Sequence, residues 1–223
     1  MSPRSKVRTV QGSMFPDLQP DKPTGKILPS VFQGTNAELM AAVAPFYLTG
    51  SVCDVTYGEG KWWDRFTPDP FVAHDLYKGD GVDFTALPEA DDTYDTVCFD
   101  PPYIPQGGYD TSTARPFADR FGLTSRSRAD LWALIDAGMV ECARVLQPEG
   151  LLVMKCMDFV NGGAFHLGHH RAIVTAESIG MRCHDLIVHH AGAGPGGSNI
   201  YDPLRARRHH SYLLVFRKTG RSA

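Results

Sequence analysis

Thr96-Val97-Cys98-Phe99-Asp100-Pro101-Pro102-Tyr103 joins an apolar, strand-like run to a carboxylate and two consecutive prolines. Proline fixes φ, lacks an N–H and drives the preceding residue toward extended backbone, so the run predicts a strand that ends in a rigid, extended turn. In open α/β sheets, ligands bind outside the carboxyl ends of the strands. Such a turn presents the Asp100 carboxylate and the carbonyls of Pro101 and Pro102 as acceptors, with Tyr103 as an adjoining flat face. An exocyclic NH2 group on a planar base calls for that set.

On either side the chain alternates between strand and helix patterns. Upstream, residues 50–55 read as a buried strand followed by the glycine-bearing loop Thr56-Tyr57-Gly58-Glu59-Gly60, and residues 71–73 as a second short strand before Asp75. Thr35 or Asn36 caps a helix over residues 37–43, with Glu38 placed early, where negative charge suits a helix N-terminus. Downstream, Leu131, Leu134, Ile135, Met139, Val140, Ala143 and Val145 recur at mostly three- and four-residue steps, which predicts an amphipathic helix over 129–145. Pro148-Glu149-Gly150 turns the chain into a strand over 151–155. A helix over 169–179, a strand over 181–189 and a closing strand over 212–216 complete the series. Strands alternating with helices predict an α/β fold with a doubly wound, mostly parallel sheet and helices on both faces.

The chain has 223 residues, 43% of them hydrophobic and 21% charged, enough for a single well-packed domain over 27–223. Residues 1–26 lack a sustained period and read as a flexible arm. No apolar run reaches the length of a membrane span and no signal-type core follows the N-terminus, so a cytoplasmic protein is expected. Cys53, Cys98, Cys142, Cys156 and Cys183 are odd in number, widely spaced and free of C-x-x-C pairs, which points to reduced core residues and not to a disulfide framework or zinc site. The formal charge of −3 argues against a nonspecific nucleic-acid coat, leaving any binding to local patches. The candidates are Arg115, Arg120, Arg126 and Arg128, and Arg205, Arg207, Arg208, His209 and His210. Each cluster reads equally as an ordinary solvated face.

The loop after the 50–55 strand suits a nucleotide-like ligand, because glycine lets backbone approach without a Cβ in the way. The longer dinucleotide fingerprint is absent, since Trp63 stands where its third glycine would fall, and this disfavours NAD. Trp62 and Trp63 read either as an aromatic wall or as core. Asp75, after the second strand, stands where a carboxylate accepts from ribose hydroxyls.

With Asp100-Pro101-Pro102-Tyr103 as its signature, the chain from about Leu28 to Lys218 resembles the S-adenosylmethionine-dependent DNA amino-methyltransferases, whose tetrapeptide is D/N/S-P-P-Y/F/W. The resemblance implies a Rossmann-like seven-stranded sheet and S-adenosyl-L-methionine as cofactor. It also implies methyl transfer to DNA, adenine N6 being the acceptor most often linked to the Asp form. Asp100, Pro101, Pro102 and Tyr103 are then catalytic. Asp54, Thr56, Gly58 and Gly60 surround the methionine and ribose of the cofactor, and Asp83 and Phe84 meet its adenine. Gly34, Thr35 and Asn36 close over the methionine carboxylate, where a helix start suits an anion. Lys61-Trp62-Trp63 departs from the family pattern, and little room is left for a separate target-recognition domain.

Three other readings stand beside this one. The same chemistry serves cytosine N4 or RNA, although the cytosine enzymes more often carry Ser at the position of Asp100. A catalytically inactive nucleic-acid-binding subunit is the second. Metal chemistry through His166, His169 and His170, or through His189-His190 and His209-His210, is the third. Adjacent histidines on a strand point to opposite faces, which disfavours it.

Overall fold

The computed structural model describes residues 27–102, 128–161, 163–192 and 208–220. The arm over 1–26, Tyr103, most of the loop after it and most of the glycine-rich loop after Gly192 lie outside the described residues. In chain order the elements are β1 (Val31–Gln33), α1 (Asn36–Tyr47), β2 (Val52–Asp54), β3 (Phe71–Ala73), β4 (Tyr94–Phe99), α2 (Arg128–Val145), β5 (Leu146–Cys156), β6 (Phe159–Asn161), β7 (Ala164–His166), α3 (Gly168–Ser178), β8 (Met181–His190) and β9 (Ser211–Lys218). Seven strands form one sheet in the order β1-β8-β9-β5-β4-β2-β3, and β6 pairs with β7 in a separate hairpin. Within the large sheet β9 alone runs antiparallel to its neighbours.

Alternation along the strands sorts side chains between two layers. Val97 and Phe99 of β4, Leu152 and Met154 of β5 and Leu214 and Phe216 of β9 pack beneath Leu131, Ile135, Met139 and Cys142 of α2 and Ala172 and Ala176 of α3. Cys98, Val153, Leu213 and Ile187 face the other way, against Leu39, Met40 and Val43 of α1 and the indoles of Trp62 and Trp63. Val140, placed on the apolar stripe by its spacing, is 51% exposed and lies off it. Four of the five free cysteines are buried and Cys183 is half-buried.

The capping of α1 follows from local sequence. Thr35 Oγ1 accepts from the Glu38 N–H at 3.2 Å while Glu38 Oε2 accepts from the Thr35 N–H at 2.9 Å, a reciprocal capping box. Two features depart from expectation. Pro148-Glu149-Gly150 does not end an element: β5 runs through it as an irregularity, pairing Leu146 with Tyr94 and then Leu151 with Thr96. The short strand β1, which local pattern did not announce, pairs with the end of β8 and delivers Gly34 to the carboxyl edge of the sheet.

Candidate active site

β2 lies between β4 and β3, so the strand order reverses beside β2 and a crevice opens at the carboxyl ends of β2 and β4. Asp54 ends β2 and Asp100 follows β4 directly. The strand ends are tied together: the Val55 N–H donates to the Cys98 carbonyl at 3.1 Å and the Asp100 N–H to Thr56 Oγ1 at 2.7 Å. An open cleft lies here, with Thr56, Asp75, Tyr77, Asp83, Phe84, Asp100 and Pro102 in its lining.

The two carboxylates differ in what they touch. Asp54 is 3% exposed and both of its oxygens are engaged: Oδ1 accepts from the Thr56 N–H at 2.9 Å and Oδ2 from the Trp63 indole at 2.7 Å. It braces the glycine loop from beneath. Asp100 is half-buried, yet its Oδ1 is shut off from solvent and has no hydrogen-bond partner among the described residues. The indole N–H of Trp62 is likewise buried and unpartnered. Burial pushes the Asp100 carboxyl up to about 6, against the pull of the Lys155 charge and the nearby Trp62 indole. Burial and the Asp100 charge push Asp54 up to about 7, with the Thr56 and Trp63 donors opposing.

Lys155 was not a sequence candidate. It ends an apolar strand run, and nothing local distinguishes it from a snorkelling surface lysine. In the fold it is 6% exposed and its ammonium donates to Asn36 Oδ1. Asn36 belongs to the Gly34-Thr35-Asn36 segment, which β1 brings to this edge. The Gly34 N–H donates to the His190 carbonyl at 3.1 Å, and the Gly34 carbonyl accepts from His189 Nε2 at 2.8 Å. His189 is buried and His190 half-buried, as neighbours on a strand must be to face opposite sides.

The cleft wall is built by residues that spend much of their polarity on the chain itself. Asp75 accepts from the Gly58 N–H at 2.8 Å, Tyr77 at 2.9 Å and Lys78 at 2.6 Å, so its carboxylate shapes the loop as well as lining the cleft. Asp83 Oδ1 accepts from the Thr85 N–H and hydroxyl, and Phe84 packs 5.1 Å from the Phe99 ring. His74 ties this wall down, with Nδ1 at 2.6 Å from Asp80 and Nε2 at 2.7 Å from Glu89. Burial works against its charge, but the two carboxylates prevail and raise its pKa. Gly58 and Gly60 both adopt left-handed φ. A Cβ on Gly58 would meet nothing nearer than 3.8 Å, whereas one on Gly60 would strike the Tyr57 hydroxyl at 2.5 Å. Gly58 therefore leaves open space, and Gly60 serves loop packing. Trp62 and Trp63 are each 6% exposed and belong to the core.

Of the arginine candidates, Arg115, Arg120, Arg126 and Arg207 lie outside the described residues, as do Tyr103 and Arg205. Arg128 begins α2. Arg208 leads into β9 at the same carboxyl edge and sits 4.2 Å from the centre of the Phe165 ring. His169 Nδ1 is held 2.7 Å from Asp158 Oδ1. Among the described residues no three His, Cys, Asp or Glu side chains are grouped to hold a metal ion, and no helix is long and apolar enough to cross a membrane.

No protein-family model matches the chain, and no curated protein matches it by sequence. Among solved structures, a provisional DNA modification methylase from Thermus thermophilus shares 20% identity over 64% of this chain and 54% of its own, with a TM-score of 0.42. The same protein complexed with S-adenosyl-L-methionine matches over 61% and 49%, with a TM-score of 0.37. The chain spans about half the length of that protein. The [4+2]-cyclase SpnF, at 13% identity, matches over 82% of this chain and 81% of its own with a TM-score of 0.52. The likeness to SpnF is one of fold, and it agrees with the strand order: this chain has the seven-stranded, mostly parallel, Rossmann-like architecture.

Proposed function

We propose that this protein transfers a methyl group from S-adenosylmethionine to an exocyclic amino group of a base in DNA, with adenine N6 as the acceptor. The observation that carries the reading is the Asp100 oxygen: a buried carboxylate atom without a partner, beside a cleft at the point where the strand order reverses. Buried polar atoms are nearly always bonded, so an unmet acceptor beside a cleft, with the Trp62 indole as its nearest donor, has capacity for a further donor. An amino group supplies one.

The cleft suits the cofactor. Apolar and aromatic walls from Leu76, Tyr77 and Phe84 offer faces for a purine, and Asp75 and Asp83 offer oxygens for hydroxyl and amino donors. Asp83 Oδ2 has no partner among the described residues. S-adenosylmethionine, when bound, supplies a methyl group on a positively charged sulfur. The remaining chemistry belongs to the chain.

An aryl amine is a weak nucleophile because its lone pair is delocalised into the ring. Asp100 and the Pro101 carbonyl would accept its two N–H bonds, which favours a pyramidal nitrogen. They would stabilise the positive charge that grows there more than they stabilise the neutral ground state. Pro101 and Pro102 hold these oxygens on backbone with little freedom. Tyr103 would stack on the base, offsetting part of the few kcal/mol needed to flip it from a duplex. Arg115, Arg120, Arg126, Arg128, Arg207 and Arg208 would meet the phosphates. After transfer the nitrogen's proton passes to the Asp100 carboxylate and on to solvent.

The test is transfer of tritiated methyl groups to unmethylated DNA. The wild-type protein is expected to label DNA, and Asp100→Ala to bind S-adenosylmethionine but lose nearly all turnover. Undiminished labelling by Asp100→Ala would refute the role of this carboxylate.

A further inference from the structure

Lys155 poses a question that the methyl-transfer reading leaves open. An ammonium removed from water is costly unless a countercharge and hydrogen bonds compensate. Among the described residues Lys155 makes one hydrogen bond, to the neutral amide oxygen of Asn36. Its carboxylate neighbour is Asp100. β4 and β5 run parallel with Phe99 opposite Met154, so the next step along both strands sets Asp100 beside Lys155. Phe99 and Met154 belong to the layer under α2, and alternation therefore turns Lys155 toward the α1 side, where Asn36 begins that helix. Asp100, for its part, keeps a buried oxygen without a partner. Each group is an anomaly alone; no hydrogen bond joins them, and the charge of each favours the charged form of the other through space.

We propose that Lys155 is a positioning residue of the site: anchored by Asn36, its buried ammonium holds the Asp100 carboxylate ionised, and so able to accept from a substrate amino group. The inference rests on the amino-methyl transfer proposed above, and it assigns the charge on which that reaction depends. A protonated Asp100 would keep only part of its acceptor capacity and would lose the negative charge that stabilises the cation growing on the nitrogen. The other titratable groups facing Asp100 do not supply the charge. Asp54, from β2, is a carboxylate that opposes ionisation, and Cys156, on β5, is a thiol held neutral by burial. His189, from β8, is pushed toward its neutral form by burial and by Lys155 itself.

The test replaces the charge and keeps the hydrogen bond. Lys155→Gln retains an N–H donor for Asn36, and Lys155→Arg retains the charge. The Asp100 titration is followed by NMR in protein carbon-13 labelled at the aspartate carboxyl carbons, with no donor or DNA present, and assigned by its loss in Asp100→Asn. In Lys155→Gln the Asp100 midpoint is expected to rise by about one pH unit or more, while Lys155→Arg stays near wild type. The acid limb of the methyl-transfer pH profile should move by the same amount. Reciprocally, Asp100→Asn should lower the Lys155 midpoint by an equal amount, a measurement that stands even if the Lys155 variants fail to fold. An unchanged Asp100 midpoint in Lys155→Gln, or an unchanged Lys155 midpoint in Asp100→Asn, would overturn the proposal. A wild-type protein that moves no methyl group but shows the coupled titration would instead remove the proposed reaction and leave the pairing intact.

Discussion

Replacing Asp100 by asparagine is expected to make the protein more stable and less active at once. The carboxyl is raised from 3.8 to about 6 by burial, and a carboxyl raised by one pH unit carries about 1.4 kcal/mol. A native carboxyl with a raised pKa contributes stability below its unfolded value, near 4, and that contribution is lost as pH rises through about 6. By pH 8 the ionised group therefore costs the fold about 2 to 3 kcal/mol, the lower figure allowing for a residue that is half-buried and not sealed. Asparagine matches the shape of the neutral acid and never ionises, so Asp100→Asn should gain about that much at pH 8 and nearly nothing at pH 4. The effect of Lys155 is already contained in the value of about 6. Urea unfolding followed by the fluorescence of the buried Trp62 and Trp63 reads the difference at both pH values. Methyl transfer should fall by about 10²- to 10³-fold, the usual consequence of losing one well-aimed polar group in an active site. A variant no more stable than wild type at pH 8 would refute the claim that this carboxylate is held at a cost to the fold.

Other predictions follow from the same geometry. Methyl transfer should decline as pH falls through about 6, because protonation removes the Asp100 charge that stabilises the cation growing on the nitrogen; a rate flat between pH 5 and 7.5 would contradict this. Trp63→Phe removes the one donor to Asp54 Oδ2 among the described residues and should cost about 1.5–3 kcal/mol in denaturant unfolding at pH 8, with a smaller loss at pH 5, where Asp54 is protonated. His74 donates from both ring nitrogens only as the imidazolium, so the stability it contributes is complete below its ordinary value of 6.5 and fades as pH rises through its elevated native pKa. His74→Gln should flatten that dependence, and an unaltered stability–pH curve would count against the clamp.

Much of this architecture is written locally. Buried parallel strands appear as short apolar runs, the α1 cap sits three residues from its partner, and the Asp100-Pro101-Pro102 corner announces a strand end with acceptors on it. What stayed hidden depends on partners far apart in sequence. Lys155 looks like the end of a strand until the β4–β5 register sets it beside a carboxylate 55 residues earlier. His74 becomes a clamp only when the chain brings Asp80 and Glu89 to its two nitrogens. β1 spans three residues, and its pairing with β8 crosses most of the chain. Trp62 and Trp63 stood out as a departure from pattern, but only the fold shows one indole engaged with Asp54 and the other buried without a partner. The loop reading from glycines alone joined Gly58 and Gly60, which the packing of Tyr57 separates into different tasks.

The central claim is that an oxygen at the β4 corner receives the amino group of a DNA base while the adjoining cleft holds a methyl donor. Its most direct test is incubation of the purified protein with unmethylated genomic DNA and isotopically labelled S-adenosylmethionine, followed by digestion to nucleosides and mass spectrometry. The account predicts labelled N6-methyldeoxyadenosine, absent with Asp100→Ala. Label on a carbon atom of a base, or equal label with and without the Asp100 carboxylate, would contradict it.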